Sequence, residues 1–265
     1  MDQRLLKRTL ISLPLGKIRF LKKTGSTNDI AAEWALKGAE NLSLVVADEQ
    51  IAGKGRYGRR WITHPHSALA FSLILSPEGL EPRHNILLVT AMGALAITDV
   101  LESEFKVMPE IKWPNDVLLS GRKIAGILSE GHWIGDQLIA VIMGIGINVA
   151  PKSVPPDELL DFPATCVEKE VGRSVDRMAL LKAILQRTLS RLSQIGSEEF
   201  VKTWETRLAY KGQWVKVTRE DHQPLEGRIV GLERSGQLRI QMPAGEVHSL
   251  KFGDVRLRPV DRRTK

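Results

Sequence analysis

The sequence predicts an α+β fold in which helices flank a mixed or antiparallel sheet, followed by a small C-terminal β-barrel. Three observations support this prediction. Apolar residues make up 43% and charged residues 26% of the 265 residues, which is ordinary globular usage and excludes disordered, collagenous and coiled-coil proteins. The predicted elements follow the order helix, strand, loop, strand, helix, hairpin and strand. From Gly212 onward, short strands separated by glycines replace them.

The first half of the chain is predicted to hold two helices and two strands. Residues 1–20 form a short basic lead-in. The hydroxyls and the acid of Ser26–Asp29 precede apolar positions at helical spacing, which predicts the start of a helix. The segment Gln50–His66 has basic residues and glycines but no apolar period, which predicts a loop. The other elements predicted here are strands at Leu42–Ala47 and Ala68–Leu75 and a helix at Asn85–Leu101.

The second half begins with a β-rich stretch. Its strands are predicted at Glu110–Trp113, Val117–Leu119, Lys123–Glu130 and Leu138–Val149, with turns at Pro114–Asp116, Ser120–Arg122 and Gly131–Gln137. The Pro-rich segment Pro151–Pro163 connects them to amphipathic helices at Met178–Ile195 and Glu198–Leu208. Four short strands follow, at Trp214–Val217, Gly227–Leu232, Leu238–Gln241 and Val247–Leu250. A boundary near Tyr210 therefore separates a main domain, residues 1–210, from a small barrel, residues 211–265.

Charge and cysteine content limit the environment and the partners. The net charge of +7 suits a nucleotide, a phosphate or an acidic protein, and does not distinguish among them. The single cysteine, Cys166, excludes an internal disulfide and a Cys-rich metal site. The N-terminus lacks an apolar core with a cleavage site, and the apolar run Leu138–Ile147 is about half the ~20 residues of a membrane span. These features predict a cytoplasmic protein without a membrane partner.

The segment Gly53–Trp61 is the first candidate for chemistry. Its glycines let backbone N–H groups turn toward an anion, and its arginines can neutralise that anion. The spacing is not that of a P-loop, and no helix follows directly. A solvated basic surface loop, or a segment that binds a phosphodiester backbone, remains an alternative.

Three further segments carry polar groups next to apolar strands. Ile111–Asp116 ends in a proline turn whose Asn and Asp are either simple turn residues or holders of a magnesium–phosphate group. Arg122–Glu130 places Lys123 at the start of an apolar strand and Gly126 within it, which indicates a bulge or a ligand close to the backbone. Gly144–Asn148 contains two glycines in a buried strand, which again allows close approach by a ligand or by a packed helix.

In combination and in order, these segments resemble the biotin protein ligase family. The match comprises Ser26-Thr27-Asn28, Gln50 with the Gly53–Trp61 loop, Lys112–Asp116, Arg122–Leu128 and Gly144–Asn148, and runs from about Thr24 to Val149. The resemblance implies the fold shared by biotin ligases and class II aminoacyl-tRNA synthetases, with a catalytic domain at 1–210 and an SH3-like barrel at 211–265. Lys54 stands where the family usually has arginine, and Tyr57 where it is often basic.

The family resemblance also implies a reaction and its partners. Members join biotin to ATP, with Mg²⁺, to form biotinyl-5′-AMP, and then transfer biotin to a lysine of a biotin carboxyl carrier protein domain of acetyl-CoA carboxylase or a related carboxylase. About 25 residues precede the Ser-Thr-Asn motif, so the resemblance implies the monofunctional type, without the N-terminal DNA-binding domain and without DNA as a partner. The family includes monomers and homodimers.

The site residues follow from the resemblance, residue by residue. Lys123 and Arg56 are expected to act in catalysis. The residues expected to bind biotin are Ser26, Thr27, Asn28, Gln50, Lys54, Gly55, Arg56 and Lys123. Those expected to bind ATP or the adenylate are Arg59, Trp61, Asn115, Asp116 and Asn148, and no protein metal ligand is assigned.

Three other functions compete with this prediction. A lipoate or octanoate ligase or transferase shares the main-domain fold, but the Ser-Thr-Asn start, Lys-Trp-Pro-Asn-Asp and the C-terminal barrel favour biotin. A nucleic-acid-binding module would explain the basic charge, yet the basic residues are dispersed and no RNA or DNA motif occurs. A repressor is disfavoured because the DNA-binding domain is not seen ahead of the Ser-Thr-Asn motif.

Overall fold

The computed structural model describes residues 1–77, 86–219, 222–250 and 256–260. Its helices are α1 (Gln3–Leu10), α2 (Thr27–Leu36), α3 (Ile86–Phe105), α4 (Val167–Val171), α5 (Arg177–Leu192) and α6 (Glu198–Thr206). Its strands are β1 (Ile18–Thr24), β2 (Leu44–Lys54), β3 (Arg60–Thr63), β4 (Ala68–Leu75), β5 (Glu110–Lys112), β6 (Asp116–Leu119), β7 (Arg122–Ile134), β8 (Gln137–Asn148), β9 (Trp214–Arg219), β10 (His222–Leu232), β11 (Leu238–Gln241), β12 (Val247–Leu250) and β13 (Arg256–Pro259).

An eight-stranded mixed sheet forms the main part of the molecule. Its order is β1-β2-β4-β8-β7-β6-β5, and β3 pairs with β2 beside this path. Only the β1–β2 pair is parallel among the strand pairs of this sheet that the structure describes. At the centre, Gly146 on β8 lies opposite Ala70 on β4 and Gly126 on β7. The α+β class with a mixed sheet flanked by helices is therefore confirmed.

The two faces of this sheet have different coverings. On one face, α3 packs against the sheet and against α5, and 14 of its 20 residues are buried. In the described part of the chain, α3 alone has the length and apolar composition of a membrane span, and 78% of its apolar window is buried inside the protein. On the other face, the short helix α2 packs on Val45, Ile74 and Ile142. Because α2 covers only part of that face, the remainder is open to a ligand.

The C-terminal strands form a separate antiparallel sheet with the order β12-β11-β10-β9-β13. It touches the main sheet next to one of the motifs: the Trp113 indole N–H donates to the Gly236 carbonyl at 3.0 Å. The four strands predicted here are present. The chain adds a fifth, β13, which pairs with β9, whereas residues 251–255 and 261–265 lie outside the described residues.

Several sequence predictions of local structure were wrong. Residues 1–20 are more than the predicted short basic lead-in, because Leu6 and Leu10 of α1 pack into the core and β1, which begins at Ile18, pairs with β2. Most of Gln50–His66 is a β-hairpin, in which β2 runs to Lys54 and pairs with β3. This hairpin was not predicted because its outer face is exposed, and the sequence is therefore polar and has no apolar period.

The predicted turn at Gly131–Gln137 is also shorter than expected. The β7–β8 hairpin continues to Ile134, paired with Gln137, and leaves Trp133 and Ile134 more than half exposed. The helix α4 was not predicted, because five residues carry no detectable period. The predicted helix at Asn85–Leu101 is present as α3, although Asn85 itself lies outside the described residues.

Candidate active site

A pocket of about 120 Å³ opens on the part of the sheet that α2 leaves uncovered. The N-terminus of α2, the β2–β3 hairpin and the glycines of β7 and β8 enclose it. The predicted site residues that line it are Ser26, Thr27, Asn28, Gln50, Lys54, Gly55, Arg56, Arg59, Trp61, Asn115, Asp116 and Lys123. The fold thus brings together residues that are up to about 100 positions apart in the sequence.

One predicted site residue lies elsewhere. Asn148 ends β8, is 4% exposed and does not belong to the pocket lining. Its side-chain amide donates to the Thr165 carbonyl at 3.1 Å. The contact that the structure gives Asn148 is therefore with the segment that leads into α4.

Four neutral side chains form one end of the pocket, and Ser72 lies behind them; we call Ser26, Thr27, Asn28, Gln50 and Ser72 the polar wall. Ser26 caps α2, and its hydroxyl accepts the Asn28 backbone N–H at 3.3 Å. Gln50 Oε1 accepts the Thr27 backbone N–H at 2.7 Å. All five side chains are in residues no more than 9% exposed. Their positions are therefore fixed by burial and hydrogen bonds before any ligand arrives.

The polar wall depends on a glycine beneath it. A Cβ at Gly144 would lie 2.0 Å from Asn28 Oδ1, so only glycine lets the α2 N-terminus sit this close to β8. This explains one of the two glycines in the Gly144–Asn148 segment as a site of close approach.

Sequence analysis missed Ser72 and Glu130. Ser72 lies in the wholly buried strand β4, with its hydroxyl 2.6 Å from Asn28 Oδ1 and 2.8 Å from Thr27 Oγ1. Glu130 on β7 accepts the Asn28 side-chain N–H at 2.6 Å. The only sequence signal for Ser72 was that it is a hydroxyl residue within an apolar strand. Glu130 is the last residue of the segment that was singled out for Lys123 and Gly126.

The basic loop at the tip of the β2–β3 hairpin encloses the opposite side. The Gly55 N–H donates to the Arg59 carbonyl at 2.7 Å, and Tyr57 and Gly58 have φ of 59° and 67°. The Arg56 guanidinium donates to Asn115 Oδ1 at 3.3 Å and also to the Tyr57 hydroxyl. These contacts carry the Arg56 side chain from the loop toward the turn that precedes β6.

Two neighbours of the loop face other partners. Lys54 pairs with Asp29 of α2, and this hydrogen bond raises the pKa of Lys54. The Trp61 indole lies over β8, where a Cβ at Gly146 would be 2.4 Å from it. Its ring N–H is buried and has no hydrogen-bond partner among the described residues. Gly146 therefore provides the space in which the Trp61 ring lies flat on the sheet.

Two lysines share one buried carboxylate near the loop. Lys123 Nζ is 2.6 Å from Asp116 Oδ1, and Lys112 Nζ is 3.8 Å from Asp116 Oδ2. Burial raises the pKa of Asp116, but the two lysines outweigh this effect, so its pKa lies below the ordinary value. Burial lowers the pKa of Lys112 to about 8. We call Arg56, Arg59 and Lys123, together with Asp116, the cationic corner.

The cationic corner carries more positive than negative charge. Lys123 is the one residue of the lysine pair that lines the pocket, whereas Lys112 lies behind Asp116, with its ammonium 4.1 Å from the centre of the Phe162 ring. An anion that enters the pocket would therefore meet Lys123, Arg56 and Arg59. The pocket thus joins a neutral hydrogen-bonding end to an anion-binding end.

The comparisons with known proteins agree with this arrangement. The family model described as "Biotin/lipoate A/B protein ligase family" matches residues 20–148, and the one described as "Biotin protein ligase C terminal domain" matches residues 211–258. The chain is 35% identical over 234 residues to the biotin--[acetyl-CoA-carboxylase] ligase of Paracoccus denitrificans, covering 85% of this chain and 94% of that protein.

Further relatives differ in length and source. The chain is 39% identical over 161 residues to the bifunctional ligase/repressor BirA of Bacillus spizizenii, and this match spans 60% of the chain but only about half, 49%, of that relative. Among solved structures, the biotin protein ligase of Aquifex aeolicus in complex with biotin and ATP superimposes with a TM-score of 0.79 at 30% identity. That superposition covers 92% of this chain and 99% of the other.

Proposed function

The chain belongs to the biotin/lipoate A/B protein ligase family, and we propose that it is an ATP-dependent, AMP-forming biotin protein ligase. It activates biotin to biotinyl-5′-AMP and transfers biotin to one lysine of a biotin carboxyl carrier protein domain. The single observation that carries this proposal is the joining of a neutral polar wall and a cationic corner in one pocket. Biotin has the same two ends: a ureido ring that both donates and accepts hydrogen bonds, and a carboxylate.

The polar wall is proposed to bind the ureido ring. Hydroxyls of Ser26 and Thr27 and the amide of Gln50 offer both donors and acceptors, as a urea requires. Asn28 supports these groups from the first turn of α2. Lipoate has no group that would pair with this wall, and buried polar groups left unpaired cost about 1–3 kcal/mol each.

The cationic corner is proposed to carry the chemistry. In the first step a carboxylate oxygen of biotin bonds to the α-phosphorus of ATP and pyrophosphate leaves. Both reactants are anions, so oriented positive charge lowers the barrier. Lys123 and Arg56 have this role, while Lys54 and Gly55 cover the biotin carboxylate and Arg59 and Trp61 contact the nucleotide. Asn148 stays a predicted ATP-side residue.

Transfer to the carrier completes the reaction. The lysine amine of the carrier bonds to the acyl carbon, AMP leaves, and the amine gives up a proton. The chain needs no nucleophile of its own, because the carboxylate attacks first and the carrier lysine second. Closure of the basic loop over the adenylate is proposed to exclude water from this hydrolysable anhydride.

Mg²⁺ is proposed to enter with ATP, whose phosphates it neutralises. The residues present fit this ion: Asp116 is ionised at neutral pH and Asn115 adds an amide oxygen, and both line the pocket beside the cationic corner. One or two protein oxygens combined with phosphate oxygens are a usual set for Mg²⁺. No group of three or more His, Cys, Asp or Glu side chains that could hold a metal alone occurs among the described residues.

The remaining proposals concern organisation and partners. We divide the chain into a catalytic domain at 1–210 and an SH3-like barrel at 211–265, which the family-model match at 211–258 supports. The carrier belongs to acetyl-CoA carboxylase or a related biotin-dependent carboxylase. The enzyme is proposed to act in the cytoplasm as a monomer or homodimer.

A direct assay tests the proposed function. Purified protein is incubated with Mg²⁺, ATP and labelled biotin, and biotinyl-AMP is separated from biotin; an added biotin carrier domain is then scored for label. We expect both products with biotin and neither with labelled lipoate. Failure to form the adenylate, or equal use of lipoate, would refute the proposal.

A further inference from the structure

Two side chains lie outside the pocket lining but bond to residues within it: Ser72, the innermost member of the polar wall, and Glu130, which accepts from Asn28. Ser72 is 0% exposed on β4, and Glu130 lies half-buried on β7. We propose that these two positioning residues leave the wall one hydrogen-bond donor short, so that the pocket selects ligands that bring an N–H group. This inference rests on the proposed function and specifies how its ligand end is chosen.

Two hydrogen-bond acceptors fix the orientation of the Asn28 amide. Its Nδ2 lies 2.6 Å from Glu130 Oε2 and 3.2 Å from the Leu128 carbonyl oxygen. A carboxylate and a carbonyl only accept hydrogen bonds, so the NH₂ group must face them. Asn28 Oδ1 therefore faces the other way, toward Ser72. Glu130 and the Leu128 carbonyl together thus determine that the wall receives the oxygen end of the amide.

The polar wall has fewer hydroxyl protons than oxygen–oxygen contacts. Four oxygens lie in a row: Asn28 Oδ1, Ser72 Oγ, Thr27 Oγ1 and Gln50 Oε1, with successive separations of 2.6, 2.8 and 3.0 Å. The two amide oxygens cannot donate, and each hydroxyl carries one proton. Two protons cannot bridge three contacts, so one oxygen pair always lacks a hydrogen bond.

The distances and the burial of the four oxygens locate this shortage of donors. The Ser72–Asn28 contact is the shortest, and it lies deepest, behind a residue with no exposed surface. The Ser72 proton therefore belongs to Asn28 Oδ1, and the single Thr27 proton must be shared between Ser72 Oγ and Gln50 Oε1, so the shortage lies at the two contacts of Thr27, which lines the pocket with Gln50. A ligand N–H that reaches Thr27 Oγ1 or Gln50 Oε1 supplies the missing donor. The ureido ring of biotin has such groups, whereas the dithiolane ring of lipoate has none.

Ser72→Ala tests the count directly. It removes one oxygen and one proton, so the Thr27 hydroxyl donates to Gln50 Oε1 with no competing acceptor, whereas Asn28 Oδ1 loses the donor that Ser72 supplied. Biotin then relieves no shortage at Thr27 and Gln50, and we expect its Kd to rise about 10-fold, the equivalent of one net hydrogen bond. Desthiobiotin, which keeps the ureido ring, should lose the same factor. The Kd of ATP should stay within about twofold, because ATP binds at the cationic corner; calorimetry measures all three.

A double variant separates this mechanism from a packing defect. After Thr27→Val the Ser72–Thr27 contact no longer exists, so adding Ser72→Ala should weaken biotin by no more than about twofold beyond Thr27→Val alone. Ser129→Ala is the matched control: Ser129 is a buried serine of the same sheet, 7% exposed, and its hydroxyl has no hydrogen-bond partner among the described residues. It should leave the Kd values of biotin and ATP unchanged.

Glu130→Gln keeps the test valid if Ser72→Ala does not fold. The new amide group can donate to Asn28 Oδ1 as well as accept, so of the two acceptors that hold the Asn28 NH₂ group only the Leu128 carbonyl remains, and Asn28 can turn its NH₂ toward Ser72 in part of the molecules and supply the donor from within. Biotin binding should weaken about threefold with ATP binding unchanged. An unchanged biotin Kd in Ser72→Ala or in Glu130→Gln, or independent losses in the double variant, would overturn the inference. Absence of biotin binding in the unaltered protein would instead refute the proposed function.

Discussion

The polar wall and the cationic corner meet in one pocket, yet the fold builds them by opposite means. The wall is neutral, and its residues are at most 9% exposed and already bonded to one another. The corner is charged, and two of its cations, Arg56 and Arg59, come from the tip of the β2–β3 hairpin, where Arg56 bonds to Asn115 and Arg59 to the Arg56 carbonyl. From this difference we infer a division of labour, in which preformed hydrogen bonds select the ligand and movable charge drives the chemistry.

Removal of Lys123 should give the largest loss of activity. A small loss would contradict the catalytic role of the cationic corner. Lys123→Ala takes away the corner cation that is paired with Asp116 at 2.6 Å. Loss of one oriented charge from such a site costs about 10²–10³ in rate, so adenylate formation should fall by that factor. Lys17→Ala, which removes an exposed lysine paired with Glu40, is the control. A Lys123→Ala rate within about threefold of the parent would exclude this role.

Gly144→Ala tests the rigidity of the wall. The added methyl would lie 2.0 Å from Asn28 Oδ1, so Asn28 must move and the wall must open. Overpacking of this kind costs about 1–3 kcal/mol, and biotin affinity should fall by roughly 10- to 100-fold. Gly25→Ala is the matched control, since a Cβ there meets nothing within 4 Å. Equal biotin affinity in the two variants would mean that the wall adapts rather than being preformed.

Arg56→Gly tests the movable charge. Adenylate synthesis should continue through Lys123, but the intermediate should escape faster. Loss of a charge-assisted pair worth about 2 kcal/mol speeds release roughly 30-fold. Escaped biotinyl-AMP acylates lysines without selectivity, so labelling of added serum albumin should rise well above the parent's level at equal adenylate production. If albumin labelling stayed at the parent's level, Arg56 would not be needed to retain the intermediate.

A pH titration should show the smallest effect and should arise at Lys112, behind the cationic corner, because the wall contains no ionisable side chain. The pKa of Lys112 is about 8 in the folded protein, below its ordinary value of 10.5. Between these pH values the unfolded chain binds the extra proton, so the free energy of unfolding rises with pH from about 8 upward. Below pH 8 both states are protonated and the destabilisation is constant.

Lys112→Met removes this titration. The free energy of unfolding is measured with denaturant from pH 7 to 9.5. Over that range the value for the parent should rise by about 1–2 kcal/mol relative to the value for Lys112→Met. Lys17→Met, at an exposed position, should keep the parent's pH dependence. Parallel pH curves for the parent and Lys112→Met would show that Lys112 titrates normally.

The resemblance to biotin protein ligases predicted that the motifs form one site, and the local geometry of short motifs predicted some of its details. Ser26 is a helix cap and the glycines of β8 permit close approach, and both properties can be predicted from neighbouring residues. The mixed sheet followed in the same way from the order of apolar segments. The β2–β3 hairpin did not, because its strands are stabilised by pairing with each other and not by an apolar period.

The parts that could not be predicted all depend on distant residues. Ser72 belongs to an otherwise apolar strand, and its importance comes from Thr27 and Asn28, more than 40 positions earlier. The shift of the Lys112 pKa comes from burial, which the sequence does not display. Asn148 ends the Gly144–Asn148 motif, yet its side chain bonds to Thr165 and does not line the pocket.

The division of labour is the central claim, and one binding measurement tests it most directly. Biotin is compared by calorimetry with the corresponding alcohol, which keeps the ureido ring but has no carboxylate, for the parent, Thr27→Val and Lys123→Ala. The account predicts that Thr27→Val weakens both ligands by the same factor and that Lys123→Ala weakens biotin alone. If Lys123→Ala weakened the alcohol as much as biotin, or if Thr27→Val weakened only biotin, the two ends of the pocket would not act separately and the account would be contradicted.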